Sequence, residues 1–308
     1  MASSAILAES LGARLRICWE PQEVLPVSAR EVFSTDFCDA YFITPEQALE
    51  DFGVTRPEVP RYLNRDDSRW LITLAGHDRG EQVFMSELRD MLEAAAGART
   101  LVIAAGGQFF MSGVETVAPV GGSVFRDLRQ SFYSRMLFVE ETEQAVQLAV
   151  AGRGPFMGLH LRYSDRAHQA PRDRSIRRAL QVSAEASGLT SLFIASDTAA
   201  ARDRWVTEAE GIGLEPWFVT HDSLARSNVS GSRAALVDWR VLGNAKRLVY
   251  FAESSFAVEA AVAGPGFDES LALPASSIRG AFVRGSRLLD SARTYPMRHG
   301  WRAPTRRA

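Results

Sequence analysis

Twelve residues, Gly-Pro-Phe-Met-Gly-Leu-His-Leu-Arg-Tyr-Ser-Asp, end at Asp165 and bring His160, Arg162 and Asp165 together after a short apolar run. Side chains two apart on a strand share a face. His160 and Arg162 therefore point one way, while Met157, Leu159 and Leu161 point the other way, into a core. A guanidinium is permanently charged and presents a fork of donors that fits phosphate oxygens. Arg162 is thus suited to hold a pyrophosphate and to stabilise charge building on a departing nucleotide. The alternative is a strand-end salt bridge between Arg162 and Asp165 at the surface.

Three more polar groups follow apolar strand signals. Asp197 comes after a strand over 191–195, His221 and Asp222 after one over 217–220, and Ser254-Ser255-Phe256 after one over 248–251. An open parallel sheet gathers the carboxyl ends of its strands along one edge, where ligands bind. Arg162, Asp197, His221 and Ser254 should then line one rim. Two serines opening a helix can add hydroxyls to its unpaired N–H groups and make an anion site without a glycine-rich loop. Ordinary helix capping is the other reading of Ser254 and Ser255, and of Asp197 before a helix starting near Thr198.

The elements that must position these groups alternate between helix and strand, the pattern of layered α/β domains with largely parallel sheets. In the first half, strands are expected over 14–19, 70–75 and 100–105. Between the last two, Phe84, Leu88, Met91 and Leu92 recur at helical spacing, with Gly97 placed to end a helix. The stretch 20–69 has no assigned elements. A helix over 142–151 leads to Gly152-Arg153-Gly154-Pro155, a candidate hinge between domains over 1–152 and 153–308. Further on, Ile176, Ala179, Leu180 and Ser183 share a helix face. Helices are also expected from near Arg233 and over 257–263, the latter closed by Gly264.

The chain has 308 residues, 46% hydrophobic and 23% charged, with a net charge of -2, enough for two soluble domains and without the basic excess of a nucleic-acid binder. No signal peptide and no bilayer-spanning stretch is evident, which points to the cytoplasm. Cys18 and Cys38 fit no metal or redox spacing and are expected as small, buried or partly buried side chains. Neither Gly106-Gly107 nor Gly121-Gly122 has the spacing of a dinucleotide fingerprint, which argues against a dehydrogenase. The alanine- and arginine-rich composition suits a bacterial origin.

Taken together, the motifs resemble those of the fucosyltransferase superfamily that includes the nodulation α1,6-fucosyltransferases and the protein O-fucosyltransferases. Gly-Leu-His-Leu-Arg-Tyr-Ser-Asp resembles its first motif, His-x-Arg-x-x-Asp. Phe-Ile-Ala-Ser-Asp-Thr, containing Asp197, resembles the second. The run from Val237 through Asp238 to Ser254-Ser255-Phe256 and Ala261 resembles the third. The alanine-rich start and the strand ending at Trp19 extend the resemblance into the first half.

The resemblance implies a GT-B-like fold: two Rossmann-like α/β domains facing across a cleft, the N-terminal one on the acceptor side, the C-terminal one binding the nucleotide sugar and ending in a tail. It implies metal-independent, inverting transfer from a GDP-sugar, with GDP-fucose the expected donor, to a glycan acceptor. Arg162 would hold the donor diphosphate, His160 would contact the nucleotide, and Asp197 and Asp238 would support the base or ribose. Ser254, Ser255 and Phe256 would close around the phosphates, and Asp165 would orient Arg162.

Members of the family place a strand and a glycine-rich loop before the first helix. This chain starts inside that helix, so the expectation is either a true start upstream of Met1 or a lost loop and a shortened N-terminal domain, and no catalytic base can be named. Ala245-Lys246 stands where Cys-Asp is frequent, and Tyr163-Ser164 where Arg-Gly or Arg-Arg is frequent. A second reading, from another class, is a catalytically incompetent nucleotide-binding module of the same fold. His77, Asp78, Phe109 and Phe110 are candidates for the acceptor side, with turn or core roles as the alternative.

Overall fold

The structure, a computed structural model, describes residues 1–19, 21, 26–52, 70–75, 81–85, 100–104, 119–164, 170–224, 228–252 and 254–274. These fall into two compact units, one within 1–19 and 39–123, the other within 20–38 and 124–289. Gly152 to Pro155 lies inside the second unit. Asp165, His77, Asp78, Phe109 and Phe110 lie outside the described residues.

In the first unit, helix α1 (Ala2–Leu11) ends on Gly12 in the left-handed region at φ 63°. Strand β1 (Ile17–Cys18) pairs in parallel with β2 (Phe42–Ile43); helix α2 (Thr35–Tyr41), which precedes β2, belongs to the second unit up to Cys38. Helix α3 (Pro45–Phe52) opens with a reciprocal cap. Thr44 N donates to Gln47 Oε1 at 2.9 Å and Gln47 N donates to Thr44 Oγ1 at 3.2 Å, with proline at the first helical position.

A second sheet in that unit has the order β4-β3-β5, formed by β3 (Trp70–Ala75), β4 (Glu81–Met85) and β5 (Thr100–Ala104), and both of its pairings are antiparallel. The sequence pattern suggests largely parallel sheets, whereas here both pairings are antiparallel. The connection over 76–80 is too short for a parallel crossover, so β4 returns alongside β3. It also moves Phe84 from the expected helix into a strand. Cys18 is exposed, whereas Cys38, in the second unit, is buried as expected.

The second unit is built on five parallel strands: β6 (Met157–Leu161), β7 (Ser191–Ser196), β8 (Glu215–Trp217), β9 (Arg247–Phe251) and β10 (Leu271–Leu273). Their order is β10-β9-β6-β7-β8. Chain order thus runs outward from β6 to β8, then jumps back across β6 to β9 and β10, the arrangement of a Rossmann-type half. β8 starts two residues earlier than expected and stops at Trp217, placing 218–220 in the loop.

Alternation sorts the sheet residues onto two faces. Met157, Leu159, Leu161, Leu192, Ile194, Val249 and Phe251 join one core with Ile176, Ala179 and Leu180 of helix α6 (Asp173–Ser187) and Trp205 and Ala209 of helix α7 (Ala199–Glu210). On the other face, Gly158 lies so close to Leu248, Leu242 and Ala245 that a Cβ there would sit 2.8 Å from Leu248 Cδ1. That face is covered by helix α8 (Val229–Gly243) and helix α9 (Ser255–Ala263). α8 begins four residues before the expected Arg233, because Asn228 Oδ1 accepts from Gly231 N at 2.7 Å and caps it.

Helices α4 (Pro119–Arg135) and α5 (Glu140–Val150) precede the sheet. An aromatic cluster of Phe33, Phe37, Phe132, Tyr133, Phe138 and Trp239 packs beside α8, with ring centroids 5.3–6.0 Å apart. Among the described residues, no helix is long and apolar enough to cross a membrane.

Candidate functional site

The order of the strands decides where a ligand can enter. Strands β6 and β9 are neighbours whose connections leave in opposite directions, which makes the gap beyond their carboxyl ends the switch point of the sheet. The β6–β7 ladder runs through Leu161↔Ser196. The β6–β9 ladder stops at Leu159↔Val249, two residues short of both strand ends. Where the expected site residues begin, β6 is still paired with β7 but no longer with β9.

His160 is 94% buried on the α9 face of β6, and its ring lies 5.2 Å from that of Phe256 at an interplanar angle of 33°. Leu161 and Tyr163 both pack into the opposite core, Tyr163 edge-on to Phe251 at 5.9 Å, so alternation leaves half-buried Arg162 on the same side as His160.

Ser254 occupies the N-cap position of α9, yet its side chain makes no capping bond; the hydroxyl is buried, and among the described residues it has no hydrogen-bond partner. Capping therefore does not account for it. A buried hydroxyl without a partner costs free energy unless a ligand or water completes it. It sits at the N-terminus of a helix, where the dipole favours anions. Ser255 beside it is exposed.

Helix α9 is held from behind. Arg129, fully buried on α4, pairs with Glu259, and the Tyr133 hydroxyl donates to the same carboxylate. Burial pushes the Tyr133 phenol well above its ordinary range. Gln130 Nε2 donates to Gly264 O at 3.1 Å. These bonds set the direction of the helix and of its anion-attracting end.

Asp197 does not cap α7. Thr198 does, its Oγ1 accepting from Ala201 N at 3.3 Å, which corrects the capping reading. The Asp197 carboxylate reaches across to the segment after β6, accepting from Tyr163 N at 2.8 Å, Ser164 N at 3.1 Å and Ser164 Oγ at 2.6 Å.

Further along the edge, Asp238 of α8 is buried and shares a 2.8 Å hydrogen bond with His221 Nε2. Burial pushes its carboxyl above the ordinary value, while the bond and charge of His221 and the charge of Arg202 pull the other way. Sequence reasoning put His221 on the rim without its partner. Ser164 left no signal, since it falls on an unspecified position of the His-x-Arg-x-x-Asp pattern. Among the described residues, no group of three or more His, Cys, Asp or Glu could hold a metal ion.

The sequence matches no known family model and no curated protein. The chain is similar to a number of solved structures, among them the following. NodZ alpha-1,6-fucosyltransferase co-crystallized with GDP is 15% identical, over 86% of this chain and 87% of that one, with a TM-score of 0.48. Fucosyltransferase NodZ from Bradyrhizobium is 16% identical over 86% and 87%, with a TM-score of 0.49. POFUT1 in complex with GDP-fucose is 12% identical over 88% and 92%, with a TM-score of 0.45.

Proposed function

We propose that this protein is an inverting, metal-independent glycosyltransferase that takes a sugar from a GDP-sugar, GDP-fucose first, and passes it to a glycan acceptor. The observation that carries the reading is the contact of the His160 ring with Phe256 at the switch point, beside a Ser254 hydroxyl at the start of α9 that is buried and, among the described residues, has no hydrogen-bond partner; Arg162 follows directly after the end of β6. The motifs that resemble the fucosyltransferase superfamily supply the donor.

The chemistry suits these groups. As the bond from the anomeric carbon to the diphosphate breaks, the sugar becomes oxocarbenium-like and GDP gains negative charge. An acceptor hydroxyl closes the new bond from the opposite face and its proton passes to water. A fixed guanidinium and helix N-terminal donors stabilise the departing diphosphate without a divalent ion. In this reading His160 contacts the nucleotide, Ser254, Ser255 and Phe256 close around the phosphates, and Asp238 supports the base or ribose.

The test is calorimetric titration with GDP, GDP-fucose and UDP, followed by an assay for GDP release from GDP-fucose with and without glycan acceptors. Binding of the guanine nucleotides in preference to UDP, together with release, is expected. Absence of nucleotide binding overturns the reading. Binding with neither release nor transfer identifies a nucleotide-binding module instead.

A further inference from the structure

We propose that Asp197 and Ser164 form a clamp that aims Arg162, acting on turnover and not on nucleotide capture. This rests on the reading that Arg162 stabilises the departing diphosphate. Both carboxylate oxygens of Asp197 are engaged by the two residues that follow Arg162: Oδ1 by Tyr163 N, Oδ2 by Ser164 N and Oγ. Hydrogen bonds to a charged acceptor are roughly twice as strong as neutral ones. Helix capping makes no claim on this carboxylate, because Thr198 caps α7.

The clamp closes a frame around Arg162. On its N-terminal side, Leu161 is fully buried and paired with Ser196 in the sheet. On its C-terminal side, the Tyr163 amide is tied to Asp197 and the Tyr163 ring packs edge-on to Phe251. Fixing the backbone on both sides removes main-chain freedom from a long side chain that would otherwise search many poses. A charge that must meet developing charge gains most from such preorganisation. The ladder with β7 ends at Ser196, so nothing in the sheet itself holds 163–164, and the carboxylate one residue beyond β7 takes over. Ser164 is exposed, so its hydroxyl answers no burial demand; its role is the third bond of the clamp.

The test uses Ser164→Ala, Ser164→Thr and Asp197→Asn in the full chain. Three properties are read: amide exchange at Tyr163 and Ser164 with trypsin cleavage at the 162–163 bond, GDP affinity, and GDP release from GDP-fucose. Ser164→Ala should loosen the segment and lower turnover about tenfold, as expected for one lost bond to a charged acceptor. Ser164→Thr keeps the hydroxyl and should restore both. Asp197→Asn turns an amide N–H toward donors and should cost roughly a hundredfold in turnover, the scale of a misplaced catalytic group. GDP affinity should stay within about twofold throughout, because the clamp is argued to leave uniform binding untouched.

Unchanged turnover in a loosened segment overturns the proposal. So does GDP affinity falling in step with turnover, which would make Asp197 a nucleotide contact. An inactive wild-type protein with protected amides would sink the function and not the clamp. An active one with unprotected amides would sink the clamp and not the function.

Discussion

The rings of His160 and Phe256 meet at 5.2 Å beside the gap where β6 and β9 stop pairing two residues before either strand ends. Side chains bridge β6 to the helix after β9 where the backbone does not. The contact therefore ties the strand that delivers Arg162 to the helix whose N-terminus carries Ser254 and Ser255.

Phe256→Ala should weaken GDP binding more than it weakens the fold. An aromatic pair of this geometry contributes about 0.5–1.5 kcal/mol beyond area burial, so the thermal midpoint should fall by only a few degrees. Removing one wall of the gap should lower GDP affinity by about tenfold, read by calorimetry. Unchanged affinity would place the nucleotide elsewhere.

Arg162→Ala should depress release of GDP from GDP-fucose by roughly a hundredfold or more, the scale seen when a preorganised charge stabiliser is lost. Arg162→Lys should recover only part, since a point charge lacks the planar fork. Arg162 is half-buried beyond the end of β6, so circular dichroism and the melting midpoint should match wild type. Wild-type turnover in a folded Arg162→Ala protein removes the assigned role.

Much of the second unit could be read from alternation. The period of two in β6 separated Met157, Leu159 and Leu161 from His160, and the period of 3.6 in α6 picked Ile176, Ala179, Leu180 and Ser183, all four buried. What escaped was decided by tertiary neighbours. Asp197 and Thr198 are both good caps side by side, and only the approach of Tyr163 and Ser164 draws the carboxylate away. Asp238 and His221 are 17 residues apart, with no period to link them. Phe84 fitted a helix with residues after it, until the short connection forced a hairpin. Over 20–52 the signals were present as local chemistry. Ser28 with Glu31 and Thr44-Pro45 with Gln47 are capping boxes, legible once side chains three apart are read as reciprocal bonds.

Gly264→Ala should destabilise the second unit by about 1–3 kcal/mol, the usual cost of forcing extra volume into a packed site. The reason is space, since the backbone there is extended at φ -95°. A Cβ on Gly264 would lie 2.1 Å from Gly243 O, and one on Gly266 would lie 2.2 Å from Lys246 O. Both obstacles are backbone at and just beyond the end of α8, which cannot swing aside as a side chain can. Urea unfolding of Gly264→Ala beside Gly213→Ala, whose Cβ meets nothing within 4 Å but whose φ is 80°, separates crowding from backbone strain. A Gly264→Ala protein as stable as wild type would show that α8 and α9 can part without cost.

Asp238 should leave a signature in the pH dependence of stability. Its folded carboxyl titrates above the ordinary 3.8 because burial disfavours the charge, an effect His221 and then Arg202 oppose. A group whose folded value is raised holds its proton more tightly in the native state. Its contribution is complete below about pH 3.8 and is lost as pH rises through the raised folded value. Asp238→Asn cannot ionise, so its stability should lack that decline, and the difference between wild type and variant should move in the variant's favour across that window. Urea titrations at half-unit steps from pH 3 to 7 read this directly, with His221→Gln as the partner control: without the opposing imidazole, the wild-type decline should extend to higher pH. Parallel curves for wild type and Asp238→Asn would mean that the carboxyl titrates alike in the folded and unfolded chains.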